Sequence, residues 1–313
     1  MSVAFTFPGQ GSQAVGMGKA LADEFAVARA VYEEVNDALG EKLSDIMWNG
    51  PADVLTLTRN AQPALMAASI AALRVLEEKG LVLAKKVAYV AGHSLGEYSA
   101  LAASGALSLG DTARLLRIRG DAMQKAVPVG EGAMAAVLGL TMDEVKAITA
   151  EAADGEVCQV ANDNATGQVV ISGARDAIER AAALAKEKGA KRALLLPVSA
   201  PFHCALMAPA AEAMAEALAG ITIHKPAVPV VANVLASSVS EPEAIRKHLV
   251  DQVTGMVRWS ESVAWLAGNG VDCLFEIGTG KVLSGLAKRI VKGIETFNVG
   301  EPADIDLALG KLA

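Results

Sequence analysis

Ser94 stands at the centre of Gly92-His93-Ser94-Leu95-Gly96, a Gly-x-Ser-x-Gly pattern between the apolar run Val87–Ala91 and the helix-prone stretch Glu97–Ala103. A serine at a strand-to-helix elbow is displayed over the end of a sheet, and the bend is so tight that only small residues fit two positions either side. Such a hydroxyl attacks a carbonyl only when a base removes its proton. Four histidines are available: His93, His203, His224 and His248. The side chain of His93, next to the serine, is directed away from it; His224 lies among Lys and Pro, and His248 on a polar helix beside Lys247 and Asp251. His203, in Pro201-Phe202-His203-Cys204, is the remaining candidate for general base.

A third chemical group comes from the segment Asp111–Ala126. At helical spacing its inward stripe is Leu115, Ile118, Ala122, Met123 and Ala126, and Arg114, Arg117, Asp121 and Gln124 form a solvated face. Arg119 falls on the apolar stripe. A buried guanidinium is costly unless an anion meets it. Either an internal carboxylate pairs with it or it awaits the carboxylate of a ligand, held by two parallel hydrogen bonds. Side-chain physics leaves these two readings equal.

The elements that must position these groups follow an α/β order. Val3–Phe7 reads as a first strand, Met17–Phe25 and Ala28–Leu39 as helical, with 24–36 continuous, and Gln62–Leu76 as a buried helix. Gly9-x-Gly11-x-x-Ala14 after the first strand fits a dinucleotide fingerprint, but Pro8, two glutamines and the helix that follows fit it poorly. From residue 133 the pattern becomes strand 133–140, helix 141–153, strands 157–161 and 168–172 around the turn 162–167, helix 174–189 and strand 192–198. That β-α-β-β-α-β order is a split βαβ, or ferredoxin-like, unit. Strands at 226–231 and 273–277 and helices at 241–252 and 260–268 return the chain to the larger unit. The predicted division is a catalytic unit of 1–127 and 199–313 with a ferredoxin-like insertion at 128–198, and a ligand cleft between them.

Composition narrows the classes. The 313 residues are 52% hydrophobic and carry a formal charge of -7, which argues against a general nucleic-acid surface. Cys158, Cys204 and Cys273 are far apart and odd in number, so neither a disulfide framework nor a zinc site is expected, and a reducing cytoplasm fits. The longest apolar run, 61–73, is too short for a bilayer. Phe275 stands where the first glycine of a Walker A loop would precede Gly280-Lys281.

Taken together, Phe7-Pro-Gly-Gln-Gly-Ser-Gln13, Gly92-His-Ser-Leu-Gly96 and Pro201-Phe-His203 resemble the malonyl-CoA:acyl-carrier-protein transacylases. The resemblance continues through Ala61-Gln-Pro-Ala-Leu65, Asp251-Gln252 ahead of Trp259, and Glu276-Ile-Gly-Thr-Gly280, so it spans nearly the whole chain. It implies an α/β-hydrolase-like large subdomain with an inserted ferredoxin-like small one. It assigns Ser94 as the acylated nucleophile, His203 as its base and Arg119 as the grip on the malonyl carboxylate. Backbone N–H groups of Gln10 and Leu95 become the oxyanion hole, the Gln252 carbonyl orients the histidine, Asn162 helps lock the site, and Phe202 with Leu95 fits malonyl rather than methylmalonyl. Thr279 stands where Pro is commoner and Cys204 where Ser is common; neither removes a functional group. Malonyl-CoA and acyl carrier protein are the implied partners, with no cofactor, metal, nucleic acid or membrane, in a cytoplasmic monomer. The competing readings are a polyketide acyltransferase, a serine thioesterase or hydrolase, and a silent carrier-binding module.

Overall fold

The structure, a computed structural model, describes residues 2–198 and 200–312. Ten strands form two sheets among the described residues. The strands are β1 (Val3–Phe7), β2 (Tyr89–Gly92), β3 (Gly132–Leu138), β4 (Cys158–Ala165), β5 (Gln168–Ala174), β6 (Arg192–Leu195), β7 (Val230–Ala232), β8 (Ser237–Val239), β9 (Cys273–Ile277) and β10 (Glu295–Val299).

The larger sheet has the order β10-β9-β1-β2-β7-β8, parallel except for β8, which runs antiparallel to β7. Helices cover both of its faces, so β1 and β9 are buried along their whole length and are apolar except for Thr6 and Glu276. The register pairs Phe7 with Gly92. The loop leaving β1 therefore emerges beside the loop leaving β2, at the carboxyl ends of adjacent parallel strands, where open α/β sheets bind ligands. Among the helices, Thr58–Glu78 is the most enclosed, with its stretch from Asn60 to Leu73 buried throughout. Gly120 lets helix Leu109–Lys125 approach it closely, because a Cβ there would lie 2.6 Å from the Arg59 Cα. Glu276 at the end of β9 accepts from the backbone N–H of Leu283 and Ser284 at 3.0 and 2.8 Å, so it caps helix Val282–Ile290.

The smaller sheet has the order β4-β5-β3-β6, antiparallel throughout, with helices Met142–Ala152 and Arg175–Glu187 in the split βαβ order that the sequence predicts. Thr141 and Glu144 form the expected capping box. Strands β3 to β6 lie within 128–198. Ser199, where the larger unit was expected to resume, lies outside the described residues, as do Met1 and Ala313.

Several local expectations change. The turn expected over 162–167 contracts to Thr166-Gly167, because β4 runs on to Ala165 through two bulges and bridges to Val257 of the larger unit. Asp163 N–H donates to Val257 O, and Val257 N–H to Ala161 O, both at 2.9 Å. The helix expected across 24–36 is interrupted at Phe25, which is extended, separating Lys19–Glu24 from Ala26–Leu39. Helix Ala208–Ala219, β8 and β10 have no counterpart in the sequence reading. Among the described residues no helix is long and apolar enough to cross a membrane.

Candidate functional site

Ser94 adopts φ 53° and ψ -108° immediately before helix Leu95–Ala103. A non-glycine residue held there is strained, and surrounding bonds must maintain it. Asn233, just after β7, supplies them: its Oδ1 accepts from Ser94 N–H at 2.7 Å and its Nδ2 donates to Gly92 O at 2.7 Å. The small residues of the elbow are obligatory. A Cβ on Gly92 would lie 1.9 Å from Gly96 backbone, one on Gly96 2.2 Å from Phe7 O, and one on Gly9 2.8 Å from His93 O. The glycine after β1 thus serves close approach to the elbow.

His203 meets the serine across 109 residues of chain, with Nε2 2.8 Å from Ser94 Oγ. Its Nδ1 lies 2.9 Å from the Gln252 carbonyl, an acceptor only, so Nδ1 carries the proton and Nε2 offers the lone pair. Burial, and next the positive charge of Arg119, push the imidazole down to about 3. His203 is therefore neutral at physiological pH.

Arg119 is 1% exposed. Its Nη1 donates to Gln62 Oε1 at 2.7 Å, and its Nη2 to Gln252 Oε1 at 2.9 Å and to Ser94 Oγ at 3.1 Å. The Tyr98 ring lies under the guanidinium at 5.6 Å. All of these oxygens belong to amides or a hydroxyl, and among the described residues Nε has no hydrogen-bond partner. Of the two readings open at the sequence level, an internal ion pair is not the one the geometry favours. The helix around Arg119 is rotated from the expected stripe. Ile118 is 41% exposed, Ala122 and Ala126 are only partly covered, and the buried arc runs through Thr112, Leu115, Leu116 and Met123. Arg117, expected in solvent, pairs with Glu41 and donates to Asn60 Oδ1 at 3.0 Å. The cause is packing on two sides, against the helices before it and against Ala208–Ala219, which the sequence reading lacked.

Ser94, His203, Arg119, Gln10, Leu95, Phe202 and Asn162 all line one cavity of about 350 Å³, whose exposed surface is mainly apolar. Gln252 sits behind it, buried. Leu95 opens a helix, so its N–H has no intrahelical partner. The Gln10 side chain is anchored on Thr58 Oγ1 at 3.3 Å. Phe202 and Asn162 are 9% and 6% exposed, one from the returning loop and one from β4, so both units close the cavity.

Sequence reasoning gave no role to three polar residues, Gln62, Asn233 and Glu97. Gln62 signalled itself only as a polar residue inside an otherwise apolar helix, as Arg119 did. Asn233 carried no local signal. His93 does point away from the serine, to Asn164 Oδ1 at 2.8 Å. Glu97 is buried, and its Oε2 accepts from Asn233 N–H at 2.9 Å and Gln252 Nε2 at 2.7 Å. Burial pushes the Glu97 carboxyl up to about 7, against the opposing pull of those donors and of Arg119.

Residues 4–298 match the model of the acyl transferase domain family. The malonyl CoA-acyl carrier protein transacylase of Bacillus subtilis strain 168 is 47% identical over 311 residues, covering 99% of this chain and 97% of that protein. The enzyme of the same name from Escherichia coli K12 is 47% identical over 306 residues, 98% of each chain. The crystal structure of an acyl-carrier-protein S-malonyltransferase from Bartonella henselae superposes with a TM-score of 0.98 at 60% identity, over 100% of this chain and 99% of that one. A malonyl-transacylase solved in complex with its type II PKS acyl-carrier protein gives 0.96 at 44% identity, over 99% and 100%.

Proposed function

We infer, because the chain belongs to the acyl transferase domain family, that it moves the malonyl group of malonyl-CoA to the phosphopantetheine thiol of acyl carrier protein, supplying extender units for fatty-acid synthesis. The observation that carries the substrate class is Arg119, a buried guanidinium with no carboxylate partner among the described residues, 3.1 Å from the nucleophilic oxygen.

In the first half-reaction the Ser94 proton passes to His203 Nε2 as Oγ attacks the thioester carbonyl. Negative charge moves to the carbonyl oxygen, where the N–H groups of Gln10 and Leu95 receive it; one such donor is typically worth about 3 kcal/mol. The C–S bond breaks, the imidazolium returns its proton to the CoA sulfur, and a malonyl ester remains on Ser94. In the second half His203 takes the proton of the carrier thiol, the sulfur attacks the ester, and Oγ leaves with that proton. The chemistry draws on side chains and backbone alone.

Arg119 contributes twice. An acyl group without a carboxylate leaves the guanidinium unpaired, which costs about 1–3 kcal/mol. A bound carboxylate also offsets the charge that holds His203 down, so the base strengthens when the correct substrate arrives. We propose a cytoplasmic monomer. Three buried, unpaired cysteines support the reducing compartment.

The test compares malonyl-CoA consumption with carrier protein against release of free malonate. Transfer outpacing hydrolysis supports the transferase; malonate as the main product would make the protein a thioesterase.

A further inference from the structure

The cation that defines the substrate is buried, yet it makes no ion pair of its own. A carboxylate nevertheless lies one amide away. Gln252 Oε1 accepts from Arg119 Nη2 at 2.9 Å, and the Nε2 of the same amide donates to Glu97 Oε2 at 2.7 Å. Glu97 is 2% exposed, and the same Oε2 also accepts from Asn233 N–H at 2.9 Å. Neither the acylation scheme nor the fold requires an acid at this place. A neutral residue could meet the Asn233 N–H and the Gln252 amide with one oxygen.

We propose that Glu97 is the remote counter-ion of Arg119, and so a residue that sets how tightly the site holds its charged acyl group. The inference rests on Arg119 gripping a substrate carboxylate, as argued above. A direct ion pair would occupy the guanidinium edge that the malonyl group needs. An isolated guanidinium would bind that carboxylate too firmly for turnover and would be costly to bury. Placing the negative charge behind an amide gives an intermediate setting: the Coulomb attraction persists in a poorly screened interior, while the guanidinium itself meets only neutral acceptors that a carboxylate can displace. Gln252 then acts twice, orienting His203 through its carbonyl and spacing Glu97 from Arg119 through its side chain.

The test uses the whole enzyme at pH 8, with free malonate as a competitor of acylation by malonyl-CoA. Glu97→Gln keeps the shape and an oxygen acceptor but removes the charge. Malonate inhibition is expected to tighten about tenfold, while acylation by uncharged acetyl-CoA stays within about threefold. Damage to the fold would do the opposite, weakening malonate and slowing both acyl donors. Unchanged malonate inhibition, or weaker inhibition with acetyl acylation preserved, overturns the proposal. If Glu97→Gln does not fold, Gln252→Glu decides: a carboxylate placed directly on Arg119 is expected to abolish malonate inhibition, and inhibition at the native level overturns the idea. Native enzyme that forms no malonyl ester on Ser94 would instead refute the reading of the site, so the two failures are distinct.

Discussion

Arg119 Nη2 and Ser94 Oγ lie 3.1 Å apart, so the guanidinium proposed to recognise the acyl group sits in hydrogen-bond contact with the oxygen proposed to receive it. The two residues come from adjoining helical regions: the serine precedes Leu95–Ala103 and the arginine is within Leu109–Lys125. Selectivity and chemistry are thereby joined at one point, and substitutions of Arg119 should separate them. Arg119→Ala is expected to lower malonyl acylation about a hundredfold while leaving acetyl acylation nearly unchanged, and Arg119→Lys to fall between, since an ammonium cannot reproduce the planar fork. Single-turnover rates with the two thioesters check this. Equal losses for both would remove Arg119 from recognition.

His203 gives a pH prediction with a defined sign. Its folded value, about 3, lies below the usual 6.5. Between those values the unfolded chain binds a proton that the folded chain refuses, so this contribution to stability is complete above 6.5 and is lost as pH falls toward 3. Denaturant midpoints measured down this range should fall less steeply in His203→Gln than in the native chain. The charge of Arg119 is the second cause after burial, so Arg119→Ala should raise the imidazole value and Arg119→Lys should not. An NMR titration of the His203 ring reports it directly.

Asn233 holds the strained elbow from both sides, through Ser94 N–H and Gly92 O. Asn233→Ala removes the side-chain partners of one buried and one partly buried backbone group and is expected to cost about 2–3 kcal/mol in urea unfolding, with slower acylation of Ser94. Loss of acylation with full stability would show that Asn233 tunes the nucleophile without supporting the bend.

The parts of this site visible in the sequence are those whose constraints are local. Gly92 and Gly96 mark the elbow because neither position has room for a Cβ. Strands β3 to β6 announce themselves through their alternation with two short helices. Arg119 was conspicuous because a charge among apolar neighbours needs a reason, although the face it occupies was misjudged at Ile118. What stayed hidden depends on distant chain meeting distant chain. Asn233 and Gln252 reach the elbow from 139 and 158 residues away, and no periodicity encodes that. The roles of Gln10 and Leu95, and that of the Gln252 carbonyl, rest on backbone atoms, which no side-chain pattern announces; family resemblance supplied them. Helix Ala208–Ala219 is rich in alanine and begins with Pro209 in its first turn, which blurred its apolar stripe.

The central claim is that Ser94 becomes esterified by a malonyl group under the control of His203 and Arg119. Brief incubation with malonyl-CoA followed by intact mass measurement tests it most directly. The native protein is predicted to gain the mass of one malonyl group, located on Ser94 by peptide mapping and discharged by carrier protein. Ser94→Ala should gain none, and Arg119→Ala little. A native chain that stays unmodified, or an adduct that persists in Ser94→Ala, would contradict the account.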